Sequence, residues 1–330
     1  MENFNYDLFC EKVKKLKVLL IGETIIDEYV FVTAKGRATK DPILSTGYIS
    51  DERYLGGVLA PARHLSEFID EVHVISILGE LNTNSEFILS QLKSNITFEY
   101  FIKPDSPTII KKRYIEPAHY QKLFKIEYLN DEVISDDLSY KIIDRIEEIK
   151  DDYDLILIND FGHGLFSDVL VDYFSKSNKF IALNVQTNSS NYGYNPITKY
   201  NAADFVSMNK TELQLPYHSK NINYQDAVKK IREKSKFKEI LLTLGKDGCI
   251  FLRDKAYNSK SLVSNPIDTI GAGDAVFSLT SLLSFLKYEG YLISKFANIV
   301  GAVAVEILGN KQSITKQALL KYIGQTNGMD

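Results

Sequence analysis

The sequence contains no tryptophan, three methionines and two cysteines among its 330 residues. The cysteines, Cys10 and Cys249, lie far apart and have no metal-ligand spacing. They predict a reducing compartment, with neither a disulfide framework nor a cysteine metal site. Long hydrophobic runs are also missing: an apolar run within residues 16–26 is too short to span a bilayer, contains Lys17 and Glu23, and lacks a small-residue cleavage site. We therefore expect a cytoplasmic protein without a membrane partner.

An excess of positive charge is missing too. The formal net charge is -4 and the pI is about 5.8, which argues against a nucleic-acid partner. Hydrophobic residues make up 45% and charged residues 25% of the chain, as in ordinary globular proteins. Low-complexity tracts and internal repeats are not evident, and the length permits one large domain or two smaller ones.

Short apolar runs alternate with helical patterns along most of the chain. The predicted strands lie at residues 17–21, 72–75, 155–158, 180–183, 205–207 and 239–243. The predicted helices lie at residues 57–69, 83–94 and 136–149 and from residue 271 onward. This alternation predicts an α/β fold with a mostly parallel sheet covered by helices on both faces. Ligands of such sheets bind beyond the carboxyl ends of the strands.

Two segments, residues 28–55 and 107–128, break this alternation. They lack helical spacing and are rich in Tyr, Phe, Val, Ile and Thr, which indicates a few antiparallel strands. Because a small sheet needs a cover or a partner, we predict a β lid that flanks the ligand site and contacts a second copy of the chain. The α/β domain then comprises residues 1–27, 56–106 and 129–330.

Residues 268–274 read Asp-Thr-Ile-Gly-Ala-Gly-Asp and precede an apolar helical pattern. The two glycines let the backbone approach a bound group closely, and the first N–H groups of the helix have no partners within it. Together they predict an anion site suited to phosphate oxygens. Asp274 would repel a phosphate there, unless it accepts a proton from a hydroxyl that attacks phosphorus. A glycine-rich helix cap with an acidic first turn is the simpler alternative, and it accounts for Asp274 alone.

This motif resembles the C-terminal signature of the ribokinase-like (PfkB) family of sugar kinases. The resemblance implies a three-layer α/β/α sandwich with a small β-sheet lid, and phosphoryl transfer from ATP to a sugar hydroxyl. Asp274 would be the general base. The backbone of three residues would hold the charge that develops on the transferred group: Gly271, Ala272 and Gly273. Asp268 and Thr269 would lie near the nucleotide.

The sugar site is implied by two further matches. Asp27 follows the first strand and ends a segment that matches the family's Gly-Asp-x-x-x-Asp, which holds the sugar; capping a loop is the alternative role. Gly56 and Gly57 match the family's glycine pair, also at the sugar site. The family has an asparagine shortly after this pair, but Ala60 or Pro61 occupies its place here. This departure leaves the substrate open.

Asn209 and Glu212 match the family's Asn-x-x-Glu motif, which implies a role near Mg²⁺. Amide and carboxylate oxygens suit Mg²⁺, which usually keeps several of its waters. We expect Glu212 to hold a magnesium-bound water. Helix capping is the alternative, because Asn and Glu begin many helices.

A turn after the last predicted strand resembles the family's Thr-x-Gly-x-x-Gly. Thr243, Gly245 and Gly248 would approach the nucleotide, although the same residues suit a plain hairpin turn. Two pairs in the final helices resemble family positions that flank adenine: Ala297 with Asn298, and Gly301 with Ala302.

Four segments are similar to one branch, the D-glycero-β-D-manno-heptose 7-phosphate kinases of lipopolysaccharide synthesis. They are residues 37–42, 108–113, 159–165 and 307–310. The resemblance thus runs from about residue 17 to about residue 320. It implies a role in substrate binding for Asp160, Lys111 and Arg113.

One departure from this branch lies after residue 183. The chain has Asn-Val-Gln at residues 184–186 where the branch has Asp-Pro-Lys. The loss of that lysine would remove a partner for a substrate phosphate. Lys111, Lys112, Arg113 and Lys199 are the candidates to replace it, although charges on solvated strands are more often surface residues.

The resemblance implies ATP as phosphate donor, Mg²⁺ as its metal, a sugar or sugar phosphate as acceptor and a homodimer formed through the lid. It leaves open whether a monovalent cation takes part. A non-catalytic sugar- or nucleotide-binding module is the alternative, and a nucleoside kinase is a third reading. Asp274 argues against the binding module, because such a module needs no base facing the phosphates.

Overall fold

The computed structural model describes residues 4–118, 120–263, 266–307 and 309–326. They form a nine-stranded sheet, a separate four-stranded sheet and helices on both faces of the larger sheet. The predicted three-layer α/β fold with a smaller β-sheet is confirmed. Within these residues, no helix has the length and apolarity needed to cross a membrane.

The large sheet has the strand order β13-β12-β11-β10-β9-β8-β1-β4-β5. Its strands are β1 (Lys17–Gly22), β4 (Glu71–Gly79), β5 (Ile96–Lys103), β8 (Leu155–Asp160), β9 (Phe180–Val185), β10 (Ala202–Asn209), β11 (Lys236–Thr243), β12 (Cys249–Leu252) and β13 (Ala256–Ser259). The strands from β11 to β5 run parallel, and β12 and β13 add an antiparallel edge. Because the parallel strands end at one edge, their following loops converge there.

Helices cover both faces of this sheet, which explains the continuous apolar runs of its central strands. Val18 and Leu20 pack on one face and Leu19 and Ile21 on the other. The first face carries α1 (Tyr6–Lys14), α2 (Leu59–Leu65), α3 (Ser85–Gln91), α8 (Ala272–Phe285), α9 (Gly290–Ala304) and α10 (Lys316–Thr326). The second carries α4 (Asp136–Ile149), α5 (Asp168–Ser175), α6 (Lys210–Gln214) and α7 (Tyr224–Lys234).

The small sheet has the order β3-β2-β6-β7 and lies within or next to the two predicted lid segments. Its strands are β2 (Thr24–Arg37), β3 (Leu44–Gly57), β6 (Ile109–Glu116) and β7 (Gln121–Tyr128). β2 begins only two residues after β1 ends, so Asp27 lies in the small sheet and not at the edge of the large one. The pattern of residues 24–37 is that of one long strand, rich in β-branched and aromatic residues.

The sequence pattern does not predict three strands of the large sheet. β5 and β13 are its two edge strands, which are only partly buried and carry mixed residues. β12 lies beside β13 and is buried, but it is only four residues long. The helix expected from residue 57 begins at Leu59, because Gly57 is the last residue of β3.

Candidate active site

The turn before α8 leaves the start of that helix open. Gly271 is its N-cap residue, with φ +79°, and no side chain caps the helix. A β-carbon at Gly271 would lie 2.3 Å from Asn310 Oδ1, so both the dihedral angle and the space require glycine. A β-carbon at Gly273 would meet no atom within 4 Å. Ala272 N donates to Thr269 O at 3.4 Å, whereas the N–H groups of Gly273 and Asp274 have no partner among the described residues and are available to an anion.

Two cavities meet at this helix start. The first cavity has a volume of about 300 Å³, and its polar wall includes Asp27, Lys111, Arg113, Gln186, Asp274 and Asn310. The second cavity has a volume of about 490 Å³, and its wall includes Gly245, Gly248, Val276, Ala297, Asn298 and Ala302. Both are lined by Asn209, Thr243, Thr269 and Gly273. Gly273 therefore stands where the two cavities join, one residue from Asp274.

Asp274 is buried, with 7% of its surface exposed, and it lines the first cavity only. Its Oδ1 accepts a hydrogen bond of 2.5 Å from Gln186 Nε2. Burial raises the pKa of Asp274 to about 7, and the charge of Asp27 adds to the rise, while Gln186 and Lys111 oppose it. A carboxyl group with this pKa can accept a proton near neutral pH.

Asp27 faces the same cavity from the small sheet. Arg113 forms an ion pair with its Oδ1, and Asn310 Nδ2 donates to its Oδ2 at 2.8 Å. A β-carbon at Gly56 would lie 2.4 Å from Oδ2, so the glycine makes room for this carboxylate. The three groups form a polar wall that suits hydroxyl and anionic groups of a ligand.

Lys111 lies beside Asp27 and is also buried. Its Nζ is 3.9 Å from Glu127 Oε1, which is too far for a hydrogen bond. Burial lowers the pKa of Lys111, although the charge of Glu127 opposes this. Lys111 lines the first cavity, where its ammonium group contributes positive charge.

The predicted nucleotide residues lie mostly around the second cavity. Thr243, Gly245 and Gly248 belong to a turn between the antiparallel strands β11 and β12, so the hairpin geometry is present and the turn also lines this cavity. Asn298 lies on α9 and faces the same space, with its Nδ2 3.4 Å from Ser294 O.

Asp268 lies in neither cavity wall. Its two oxygens accept hydrogen bonds of 3.2 Å from Ile270 N and Gly309 N, and Lys122 of the small sheet pairs with it at 3.2 Å. Asp268 thus holds the turn before α8 in place.

Asn209 and Glu212 form a capping box at the start of α6. The oxygens of Glu212 accept from Asn209 N at 2.7 Å and from Thr187 N at 3.2 Å, and burial raises its pKa to about 7. Both residues also line the first cavity. The described residues contain no group of three or more His, Cys, Asp or Glu side chains that could enclose a metal. The capping alternative is thus present in the structure, and the magnesium role stays a prediction.

The remaining predicted residues lie apart. Asp160 is fully buried, lines neither cavity, and accepts from Tyr200 Oη at 2.8 Å and from Lys199 at 2.6 Å. Lys199 is therefore occupied by Asp160. Residues 37–42 lie at the far end of the β2–β3 pair, and Leu308 lies outside the described residues.

The sequence indicates no role for several residues of the first cavity, among them Gln186 and Asn310. Gln186 stands out only as a departure from a family pattern, and Asn310 only as part of a C-terminal match. Neither follows a periodic signal, because each enters the site from a loop after a strand or helix.

A family model described as "pfkB family carbohydrate kinase" matches residues 15–316. The chain belongs to the pfkB family of carbohydrate kinases. It is 28% identical over 301 residues to the bifunctional protein HldE of Campylobacter fetus, covering 89% of this chain and 64% of that protein. It is 24% identical over 327 residues to HldE of Helicobacter hepaticus, covering 96% and 65%. The chain thus spans a little less than two thirds of the length of these relatives.

Solved structures of other kinases show the same fold. Phosphofructokinase-2 from Escherichia coli in complex with potassium aligns with TM-score 0.74 and 12% identity over 94% of this chain and 99% of that one. Arabidopsis thaliana ribokinase complexed with ribose and ATP aligns with TM-score 0.68 and 16% identity over the same shares. Membership of the pfkB family makes the chain a sugar kinase and implies the use of ATP.

Proposed function

We propose that this pfkB kinase transfers the γ-phosphoryl group of ATP to a hydroxyl of a sugar phosphate, with a heptose 7-phosphate as the favoured substrate. The observation that carries this proposal is the junction of two cavities at Gly273. The apolar second cavity suits the nucleotide and the polar first cavity suits the acceptor. Asp274 lines the first cavity, one residue from the junction.

The charges of the first cavity favour a particular chemistry for the acceptor. Asp27 and Asn310 suit sugar hydroxyls, which both donate and accept hydrogen bonds. Lys111 lines the first cavity, and its ion pair with Glu127 is long, at 3.9 Å, so its ammonium group is available to pair with a bound anion. A phosphate on the sugar would supply that anion. The similarity of residues 108–113 and 159–165 to heptose 7-phosphate kinases favours this substrate.

The proposed reaction follows from these positions. The acceptor hydroxyl gives its proton to Asp274 while its oxygen bonds to the γ-phosphorus and the bond to the ADP oxygen breaks. The open N–H groups at the start of α8 stabilise the charge that develops on the transferred group. Mg²⁺ bound with ATP would neutralise phosphate charge, and Glu212 and Asn209 suit a water of that ion because both line the first cavity.

The small sheet supports a homodimer. Its inner face carries Asp27, Lys111 and Arg113, whereas its outer face exposes Phe124, Tyr128 and Tyr48. An exposed apolar face on a two-sided sheet is typical of an interaction site. We propose that two copies pair through this outer face, and that the enzyme works in the cytoplasm, where ATP is available.

An ATP-consumption screen across hexoses, heptoses and their phosphates tests the proposal. Turnover is expected with a sugar phosphate, and Asp274→Asn should lower it by roughly 10²–10⁴-fold while ATP still binds. The exposed Asp137→Asn is the matched control and should leave turnover unchanged. An unchanged rate in Asp274→Asn would remove the residue from its role. Tight ATP binding without turnover on any sugar would favour a non-catalytic binding module instead.

A further inference from the structure

Gln186 is the only hydrogen-bond donor to Asp274 among the residues that the structure describes. The side chain follows β9 and enters the first cavity. We infer that Gln186 is the positioning residue of the general base: it holds Oδ1 of Asp274 so that Oδ2 stays available to the acceptor hydroxyl. This inference rests on the proposed function of Asp274.

A chain of amides determines which end of Gln186 meets Asp274. The carbonyl oxygen of Ser207 can only accept, so Asn184 must direct its Nδ2 toward it, at 2.9 Å. Asn184 Oδ1 then faces Gln186 and accepts from its Nε2 at 2.8 Å. The second hydrogen of the same Nε2 goes to Asp274 Oδ1 at 2.5 Å. The backbone of β10 thus sets the orientation of the Gln186 amide through Asn184.

The main chain of Gln186 is held as well. Its N–H donates to Asp160 O at 2.8 Å, and its carbonyl oxygen lies 3.3 Å from Asn195 Nδ2 and 3.4 Å from Asn191 Nδ2. Asp160 and the asparagine-rich loop after β9 therefore support the residue that orients the base. This gives Asp160 an indirect part in the site although it lines neither cavity.

A neutral amide at this position has a chemical consequence. A lysine would form an ion pair with Asp274 and strongly favour its charged, less basic form. Glutamine donates one hydrogen bond without adding a charge, so the carboxylate is oriented and its basicity is largely kept. Proton transfer to a side chain is most efficient when its pKa lies near the working pH.

Charged groups from several elements also act on Asp274. Asp27 of β2 opposes its ionisation and Lys111 of β6 favours it, and the charges of Asp274 and Glu212 of α6 repel each other. None of these three is hydrogen-bonded to Asp274 in the described part of the chain. A change at position 186 therefore alters the one direct contact and leaves the surrounding charges in place.

The test titrates the Asp274 carboxyl group directly, which requires no knowledge of the acceptor. The ¹³Cγ signal of Asp274, assigned by its loss in Asp274→Asn, is followed against pH in the wild type, Gln186→Met and Gln186→Lys. Gln186→Met removes the hydrogen bond and should raise the midpoint by about one pH unit. Gln186→Lys should lower it by about one pH unit or more. The exposed Gln225→Met is the matched control and should leave the midpoint unchanged.

Kinetics with the acceptor found in the screen give a second readout. Because positioning is lost, kcat of Gln186→Met should fall by roughly 10–100-fold while KM for ATP stays within about twofold. Asn184→Ala removes the acceptor of the other amide hydrogen and should shift the midpoint in the same direction as Gln186→Met, by less. It serves as the test if Gln186→Met does not fold, as judged by circular dichroism.

Opposite shifts in the two Gln186 variants support the inference, because a purely structural role would not move the midpoint in opposite directions. Midpoints within about 0.3 pH units of the wild type in both variants would overturn it. The two proposals fail separately: an active Asp274→Asn enzyme removes the proposed base, whereas an inactive one with unmoved Gln186 midpoints removes only the role of Gln186.

Discussion

At the scale of single residues, Asp274 combines a reactive position with a cost in stability. Burial raises its pKa to about 7 in the folded protein, compared with 3.8 for the free side chain. Between these two values the folded state binds more protons than the unfolded state, so stability falls as the pH rises. Above pH 7 the group is charged in both states, and the destabilisation is complete.

Asp274→Asn should therefore make the protein more stable at pH 8 while it removes activity. The free energy of unfolding should rise by on the order of a few kcal/mol, at about 1.4 kcal/mol for each unit of pKa shift. The gain should shrink as the pH falls toward 3.8, because the carboxyl group is then protonated in the folded state and increasingly protonated in the unfolded state. Urea unfolding at pH 4.5 and 8 measures it, with the exposed Asp137→Asn as control. A variant that is no more stable than the wild type at pH 8 would contradict the buried, charged carboxylate.

Gly56 acts at the same scale, through the space that it leaves for Asp27. A β-carbon there would lie 2.4 Å from Asp27 Oδ2 and 3.3 Å from Ile25 O. Gly56→Ala should displace the carboxylate from Asn310 and raise KM for the acceptor roughly 10-fold or more, because misplaced contacts of this kind are costly. ATP affinity should stay unchanged, since Gly56 does not line the second cavity.

Gly47→Ala is the matched control in the same strand. Its new β-carbon would meet only the flexible end of Lys35, 2.9 Å away, which can move aside. Steady-state kinetics on both variants separate the two cases. Equal values of KM for the acceptor in Gly56→Ala and Gly47→Ala would show that Asp27 does not bind the sugar.

At the scale of elements, Lys103 holds in place the segment that leads from the small sheet back to the large sheet. It ends β5, and its Nζ donates to Asn130 O at 2.6 Å and to Glu132 O, both in the segment between β7 and α4. His163 O lies 3.4 Å away on the turn after β8. One buried ammonium group thus connects the end of β5, the segment before α4 and the turn after β8.

Lys103→Met should leave these carbonyl groups without their donor. Hydrogen bonds to a charged group contribute about 1.5–3 kcal/mol each, so we expect a loss of about 2–4 kcal/mol in the free energy of unfolding. The exposed pair of Lys141 and Asp137 provides the control, because Lys141→Met should change stability by less than about 0.5 kcal/mol. Urea unfolding measures both variants. Similar values for the two would mean that the carbonyl groups find other donors.

At the scale of the whole molecule, segments with a strong hydrophobic periodicity were predictable from the sequence. Contacts between single side chains distant in the sequence were not. The strands β1, β8 and β9 are buried on both faces and stand out as apolar runs, and α4 begins and ends where its pattern does. The small sheet was predictable because residues 28–55 and 107–128 lack helical spacing. The hydrogen bond between Gln186 and Asp274 joins residues 88 positions apart, and no local sequence pattern predicts a contact over such a separation.

The motif before α8 predicted where Asp274 lies, since glycines and helix starts have defined backbone geometry. Motif matches were weaker for side chains with two possible uses. Asn209 and Glu212 cap α6, and Asp160 pairs with Lys199, so the polar atoms of these residues already have partners inside the protein. Whether such a residue also meets a ligand depends on which cavity it lines, and only the folded chain shows this.

The proposed homodimer depends on the outer face of the small sheet. On β7, alternate residues face the two sides of the small sheet, so Phe124, Ile126 and Tyr128 share its outer face and all are exposed. Phe124 also stacks on Tyr114, with ring centroids 4.4 Å apart, which gives the face a flat aromatic centre. A surface of this kind is stabilised when a second copy covers it.

Phe124→Glu should convert the proposed dimer into a monomer, because a carboxylate buried at the contact would lack a partner. Sedimentation equilibrium should give about twice the chain mass of 37.5 kDa for the wild type and that mass itself for the variant. Tyr140→Glu, on the exposed surface of α4, is the matched control and should leave the dimer intact. Since the inner face of the same sheet carries Asp27 and Arg113, the monomer should bind the acceptor more weakly and ATP equally well. A wild-type monomer, or a variant that still dimerises, would exclude this face as the contact.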